Sequence, residues 1–145
     1  MRSNKIIHVL GYSGLIPFYL FSIMTALEGY NFFIDIFFLY SAIILCFLSG
    51  SLWMKLIALP KQSENTFFKF LSVGFPLIVM STELFVTYAL KTLVYMLIYV
   101  LIYICDKKTT KNTFLDYMRM RFFLTGNVLL THLILLYAIF THGIF

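Results

Sequence analysis

The sequence predicts an all-α, polytopic membrane protein: one integral membrane domain over residues 1–145, built as a bundle of five transmembrane helices. Three observations predict it. The chain is 61% hydrophobic and only 12% charged, whereas soluble domains carry about a quarter charged residues. Uncharged stretches recur at close to the roughly 20 residues that cross a bilayer. Lysine and arginine collect beside alternate connections, the pattern that fixes orientation in membranes. Five spans use nearly all of the 145 residues, which excludes a soluble enzymatic headpiece, a nucleotide-binding module and a secreted disulfide scaffold.

The first helix is expected over about 6–27, between Lys5 and Glu28. It has no small-residue cleavage site and is long for a signal-peptide core, so it reads as a retained span. Gly14 and Pro17 predict a kink, because an embedded proline frees the carbonyl one turn earlier. The second helix, about 34–58, lies between Asp35 and the polar loop PKQSENT that starts at Pro60. Ala42, Cys46 and Gly50 fall at four-residue spacing with Ser49 beside them. Small residues so spaced let helix backbones approach, which predicts a packing face and places this helix at the centre of the bundle.

The apolar run from Phe70 to Cys105 contains only Glu83 and Lys91 as charges and is too long for one span. It reads as a tight hairpin of helices over about 67–85 and 88–105, turning near Thr87, with Gly74 and Pro76 kinking the first arm. Glu83 and Lys91 lie equally far from that turn, about 6 Å along the axis. Opposite charges at matched depth predict an ion pair. In the second arm Tyr88, Thr92, Tyr95, Tyr99 and Tyr103 recur at helical spacing. Tyr88 and Tyr103 suit the interfaces, while the deeper Tyr95 and Tyr99 require protein, lipid, a quinone-like ligand or another subunit as hydroxyl partners.

The stretch Asp106 to Arg121 is the most polar in the chain, and a last helix is expected over about 114–142. Thr113 and Asp116 form a capping-box pattern, followed by Phe114, Leu115, Met118 and Phe122 on one face. Arg119 and Arg121 then sit at the membrane entry, available to lipid phosphates or a partner's carboxylates; Trp53 is a further candidate lipid or partner contact.

Of the eleven lysines and arginines, Arg2, Lys5, Lys55, Lys61, Lys69, Lys107, Lys108, Lys111, Arg119 and Arg121 fall on one side and only Lys91 toward the other. The positive-inside rule therefore places the N-terminus in the cytoplasm and the C-terminus outside. The net charge of +5 describes orientation and contact with anionic lipid, not a nucleic acid partner. His8, His132 and His142 differ in depth, and Cys46 and Cys105 form no CxxC pair. No haem, metal, other cofactor or disulfide is expected.

The segment YSAIILCFLSGSLW, from Tyr40 to Trp53, together with Gly14, Pro17 and Phe18, Pro76 and the stretch RMRFFLT from Arg119 to Thr125, resembles the family called domain of unknown function 3429, with its YxxxILSFLGGxxWG signature. Cys46, Ser49 and Met54 depart from that signature, and Leu52 stands where a histidine is common. The resemblance implies a multi-span protein of an energy-transducing membrane and no established reaction. The function expected is that of a noncatalytic accessory, assembly or structural component of a larger inner-membrane complex. Its partners would be membrane lipids and other membrane subunits. The setting would be the bacterial cytoplasmic membrane, with the mitochondrial inner membrane as the alternative. A second class is a small transporter or channel using the kinked helices and Glu83 and Lys91. An enzyme is the third, since no coherent reactive constellation stands out.

Overall fold

The structure, a computed structural model, describes residues 9, 11–58, 66–109 and 115–144. Its helices are α1 (Ile16–Glu28), α2 (Asn31–Ala58), α3 (Thr66–Phe85), α4 (Tyr88–Thr109) and α5 (Leu115–His142). They form a ring in which α1 touches α2 and α5, α3 touches α2 and α4, and α4 touches α5. The α2 helix also reaches across the ring to α4. Arg2, Lys5, His8, Lys61, Lys111 and Thr113, the last of which opened the expected capping box, lie outside the described residues.

Four helices, α2 to α5, are long and apolar enough to cross a membrane among the described residues, rather than the five expected. The first segment falls short because it is broken. Helical residues 11–13 end in a turn at Gly14 and Leu15, and α1 restarts with proline in its first turn. Its 13 residues extend about 20 Å, against roughly 30 Å of hydrocarbon. Pro17 therefore does not kink a continuous helix. It starts one, at the position where a missing N–H costs least.

The α1 helix ends on Gly29, left-handed at φ 67°, whose N–H returns to the Thr25 carbonyl at 2.9 Å. A side chain there would meet the His142 ring, since a Cβ would lie 2.8 Å from Nδ1. His142 Nε2 in turn donates to the Ala26 carbonyl at 3.2 Å, so the end of α5 closes over the α1–α2 turn. The hairpin between α3 and α4 turns through Val86 and Thr87.

The face of α2 that packs inward is not the small-residue stripe. Ser41, Leu45, Ser49, Leu52 and Leu56 are buried, while Cys46 and Gly50 are exposed and Ala42 is half-buried. Nothing lies within 4 Å of a Cβ built on Gly50. Adjacent helix residues differ by 100° around the axis, so one position separates the buried row from the outward one. Hydroxyls and branched side chains fill the interior instead of close backbone contact.

Two of the polar residues of α2 repair interrupted neighbours. Tyr40 donates to the Gly14 carbonyl at 2.9 Å, at the break before α1. Ser49 donates to the Ser72 carbonyl, which lies four residues before Pro76 and so has no helical N–H to receive. Gly74 has nothing within 4 Å of a built Cβ and makes no close approach. Ser49→Ala is expected to cost about 1–2 kcal/mol, the range for an orphaned carbonyl or an interhelical bond in a membrane. In a Pro76→Ala background, where the N–H is restored, the same change should cost a few tenths at most. Unfolding of the native chain and the three variants in mixed micelles measures both.

Candidate functional site

Among the described residues, three charged or fully buried polar junctions and a cavity stand out in the interior, and the helices bring different sequence-predicted residues to each. At one end, Glu83 near the close of α3 meets Lys91 and Tyr95 on α4. Lys91 Nζ lies 2.8 Å from Glu83 Oε2, and the Tyr95 hydroxyl donates to the other carboxylate oxygen. Lys91 is buried, and its ammonium lies 5.0 Å from the centre of the Phe38 ring and 5.6 Å from that of Tyr88. Tyr88 itself donates to Asp35 Oδ1 at 2.8 Å. Lys91 follows Glu83 at the same distance beyond the turn, so the hairpin itself brings the two together.

In the middle, Ser41, Tyr99 and His132 join α2, α4 and α5. The Val128 carbonyl lies 2.8 Å from His132 Nδ1, so that nitrogen carries the proton and Nε2 is the acceptor. Ser41 Oγ, 3.2 Å from Nε2, donates to it. The Tyr99 hydroxyl donates to Ser41, whose Oγ and carbonyl lie at 3.1 and 3.2 Å. A serine on a histidine on a fixed acceptor resembles a nucleophile with its base. Here Phe18, Phe37 and Tyr99 rings pack around the imidazole at 4.8–6.0 Å, and Ser41 and His132 are fully buried. The arrangement joins three helices, with its serine and imidazole closed off from solvent.

At the other end, Asp106 is 2% exposed and takes two cations. Arg121 Nε lies 2.9 Å from Oδ2 and Lys55 Nζ contacts Oδ1. The Tyr117 hydroxyl donates to Oδ2 at 3.1 Å and accepts from Lys55 at 3.0 Å. Every carboxylate oxygen of Asp106 thus has a charged donor. Two cations on one carboxylate leave one net positive charge. Neither Asp106 nor Tyr117 stands out in the sequence as a site residue. Helical spacing carries the signal, since Tyr95, Tyr99, Ile102 and Asp106 continue one buried row down α4.

Beside that junction lies a cavity of about 520 Å³ between the first segment, α2 and α5. Its walls are mostly apolar, with Gly11 and Gly14 supplying bare backbone and Arg121 and Tyr117 at one end. Glu83, Lys91, His132 and Ser41 do not line it, whereas Tyr99 does. Arg119 and Trp53 are exposed on the outer surface, and Tyr95 faces protein. No group of three or more His, Cys, Asp or Glu side chains able to hold a metal ion occurs among the described residues.

The model of the family described as a protein of unknown function, DUF3429, matches residues 3–137. The chain belongs to the DUF3429 family. No curated protein and no solved structure matches it. The DUF3429 match takes in all three junctions and the cavity, and of the described helices it leaves out only the final residues of α5.

Proposed function

We propose that this DUF3429 protein is a noncatalytic accessory, assembly or structural component of a larger complex in an inner membrane. One observation carries the reading: α2 presents a second, outward face on which half-buried Ala42 and exposed Cys46 and Gly50 repeat every turn while its other face holds the bundle together. A small-residue row turned outward is the form in which a membrane helix accepts another helix. The internal junctions support the same role, since Glu83, Asp106 and His132 are each engaged in joining helices.

The orientation follows from charge. Lys55, Asp106 and Arg121 bring the C-terminal ends of α2 and α4 and the start of α5 together, with Lys107, Lys108 and Arg119 exposed on the same end. In this reading that end is cytoplasmic. The first segment enters from there, with Gly11 level with Met120, and α5 finishes on the opposite side.

Copurification in mild detergent tests the proposal. The native chain should emerge in a stoichiometric complex, and Gly50→Leu should release it as a folded, separate particle. A self-contained particle from native membranes, indifferent to Gly50→Leu, overturns the accessory role.

A further inference from the structure

The cavity beside Asp106 has the layout of an amphiphile site. It runs along α5 from Tyr117 to Val128, about 16 Å at helical rise, and its volume falls within the range of small-molecule sites. Its long wall is apolar, made by Phe18, Ile44, Leu48 and Leu124, and exposed Phe47 stands at the rim toward lipid. Its one charged lining group among the described residues is Arg121. Asp106 engages only the Nε of that guanidinium among the described residues. The terminal amino groups, with four of the five N–H donors, carry the surplus charge of the junction.

One turn deeper than the cations stand two further donors. Thr125 follows Arg121 by four residues on α5, and Ser51 precedes Lys55 by four on α2; both line the cavity. Neither hydroxyl makes a hydrogen bond among the described residues. The order along the cavity is therefore cation, then hydroxyls about 6 Å further in, then hydrocarbon. That order matches phosphate, glycerol ester and acyl chain.

We propose that the cavity binds one anionic phospholipid, with its phosphate on Arg121, its ester oxygens near Ser51 and Thr125, and one acyl chain between the first segment, α2 and α5. The guanidinium fork suits phosphate, and Phe47 marks the lateral entry from the bilayer. The proposal rests on membrane placement alone and is independent of any partner complex, so Gly50→Leu and the variants below report on separate claims.

The test reconstitutes the full chain in vesicles of equal phosphatidylglycerol and phosphatidylcholine, re-extracts it in mild detergent and counts retained lipid by mass spectrometry. About one phosphatidylglycerol should remain per chain, favoured over phosphatidylcholine by about tenfold, because both lipids offer the phosphate and only phosphatidylcholine brings a choline cation to the surplus positive charge at Arg121. Arg121→Gln should bring the two lipids to parity. It leaves Asp106 paired with Lys55, so the junction goes from one net positive charge to neutral. Leu48→Trp, which fills the cavity without touching the charges, should remove both lipids. Circular dichroism and gel filtration establish that each variant folds. Equal retention of the two lipids by the native chain, or a preference that survives both variants, overturns the proposal. So does displacement by inorganic phosphate alone, which would make this an anion site without an acyl chain.

Discussion

Asp106→Asn is expected to lower the stability of the chain by about 3 kcal/mol, toward the lower end for breaking a buried ion pair because Lys55 keeps some access to water. The carboxylate is 2% exposed and holds Arg121, Lys55 and Tyr117 together. Without its charge, two cations face each other across the half-buried Tyr117, and only Lys55, 34% exposed, can turn outward. Removing one of the cations as well should relieve that repulsion. The double variant Asp106→Asn with Arg121→Gln is therefore expected to lose less than the sum of the two single changes. Equilibrium unfolding in mixed micelles measures all three. Additive losses would mean that the guanidinium and the carboxylate do not sense each other.

At the opposite end, the two members of the Glu83–Lys91 pair should respond unequally. Glu83→Ala orphans both the Lys91 ammonium, which is buried, and the Tyr95 hydroxyl, which is fully buried. Lys91→Met leaves Glu83, whose side chain is 34% exposed, in reach of water and still bonded to Tyr95. The expected losses are about 2–3 kcal/mol for Glu83→Ala and about 1 kcal/mol for Lys91→Met, reduced in both cases by the solvent that reaches the carboxylate. The double variant should cost less than the two losses added together. Thermal unfolding in detergent orders the variants, and a larger loss from Lys91→Met would contradict the arrangement.

Much of the architecture is legible in the sequence because lipid imposes a ruler on apolar stretches. The hairpin turn at Val86 and Thr87 lies where charges of opposite sign stand equally far apart from a short polar pause. What the ruler conceals is rotation about the helix axis. The row Ala42, Cys46, Gly50 attracts notice because its members are small, yet the buried row sits one residue earlier, at Ser41, Leu45 and Ser49. A helix in lipid has apolar residues all round, so hydrophobicity does not mark its inner face. Asp106 escapes for a related reason. The charge-free count stops at Cys105, whereas α4 continues to Thr109 and carries the carboxylate down the same side as Tyr99 and Ile102. The break at Gly14 and Leu15 was signalled by a proline close behind a glycine, a helix-start pattern that also reads as a kink. The cavity has no sequence signature, because Gly11, Leu48 and Arg121 meet only after folding.

The two hydroxyls of α2 that reach the Gly14 and Ser72 carbonyls also fix how far the neighbouring segments can slide. Each bond joins a donor on α2 to a carbonyl outside a continuous helical ladder, Gly14 at the break before α1 and Ser72 four residues before Pro76. Shifting either neighbour by one turn, about 5 Å, would strand its carbonyl in hydrocarbon. Apolar side chains alone resist such sliding weakly, since one methyl-rich surface resembles the next. The break at Gly14 and the proline at position 76 of α3, by opening the backbone at two levels, thereby act as notches that α2 engages to set the vertical alignment of the bundle.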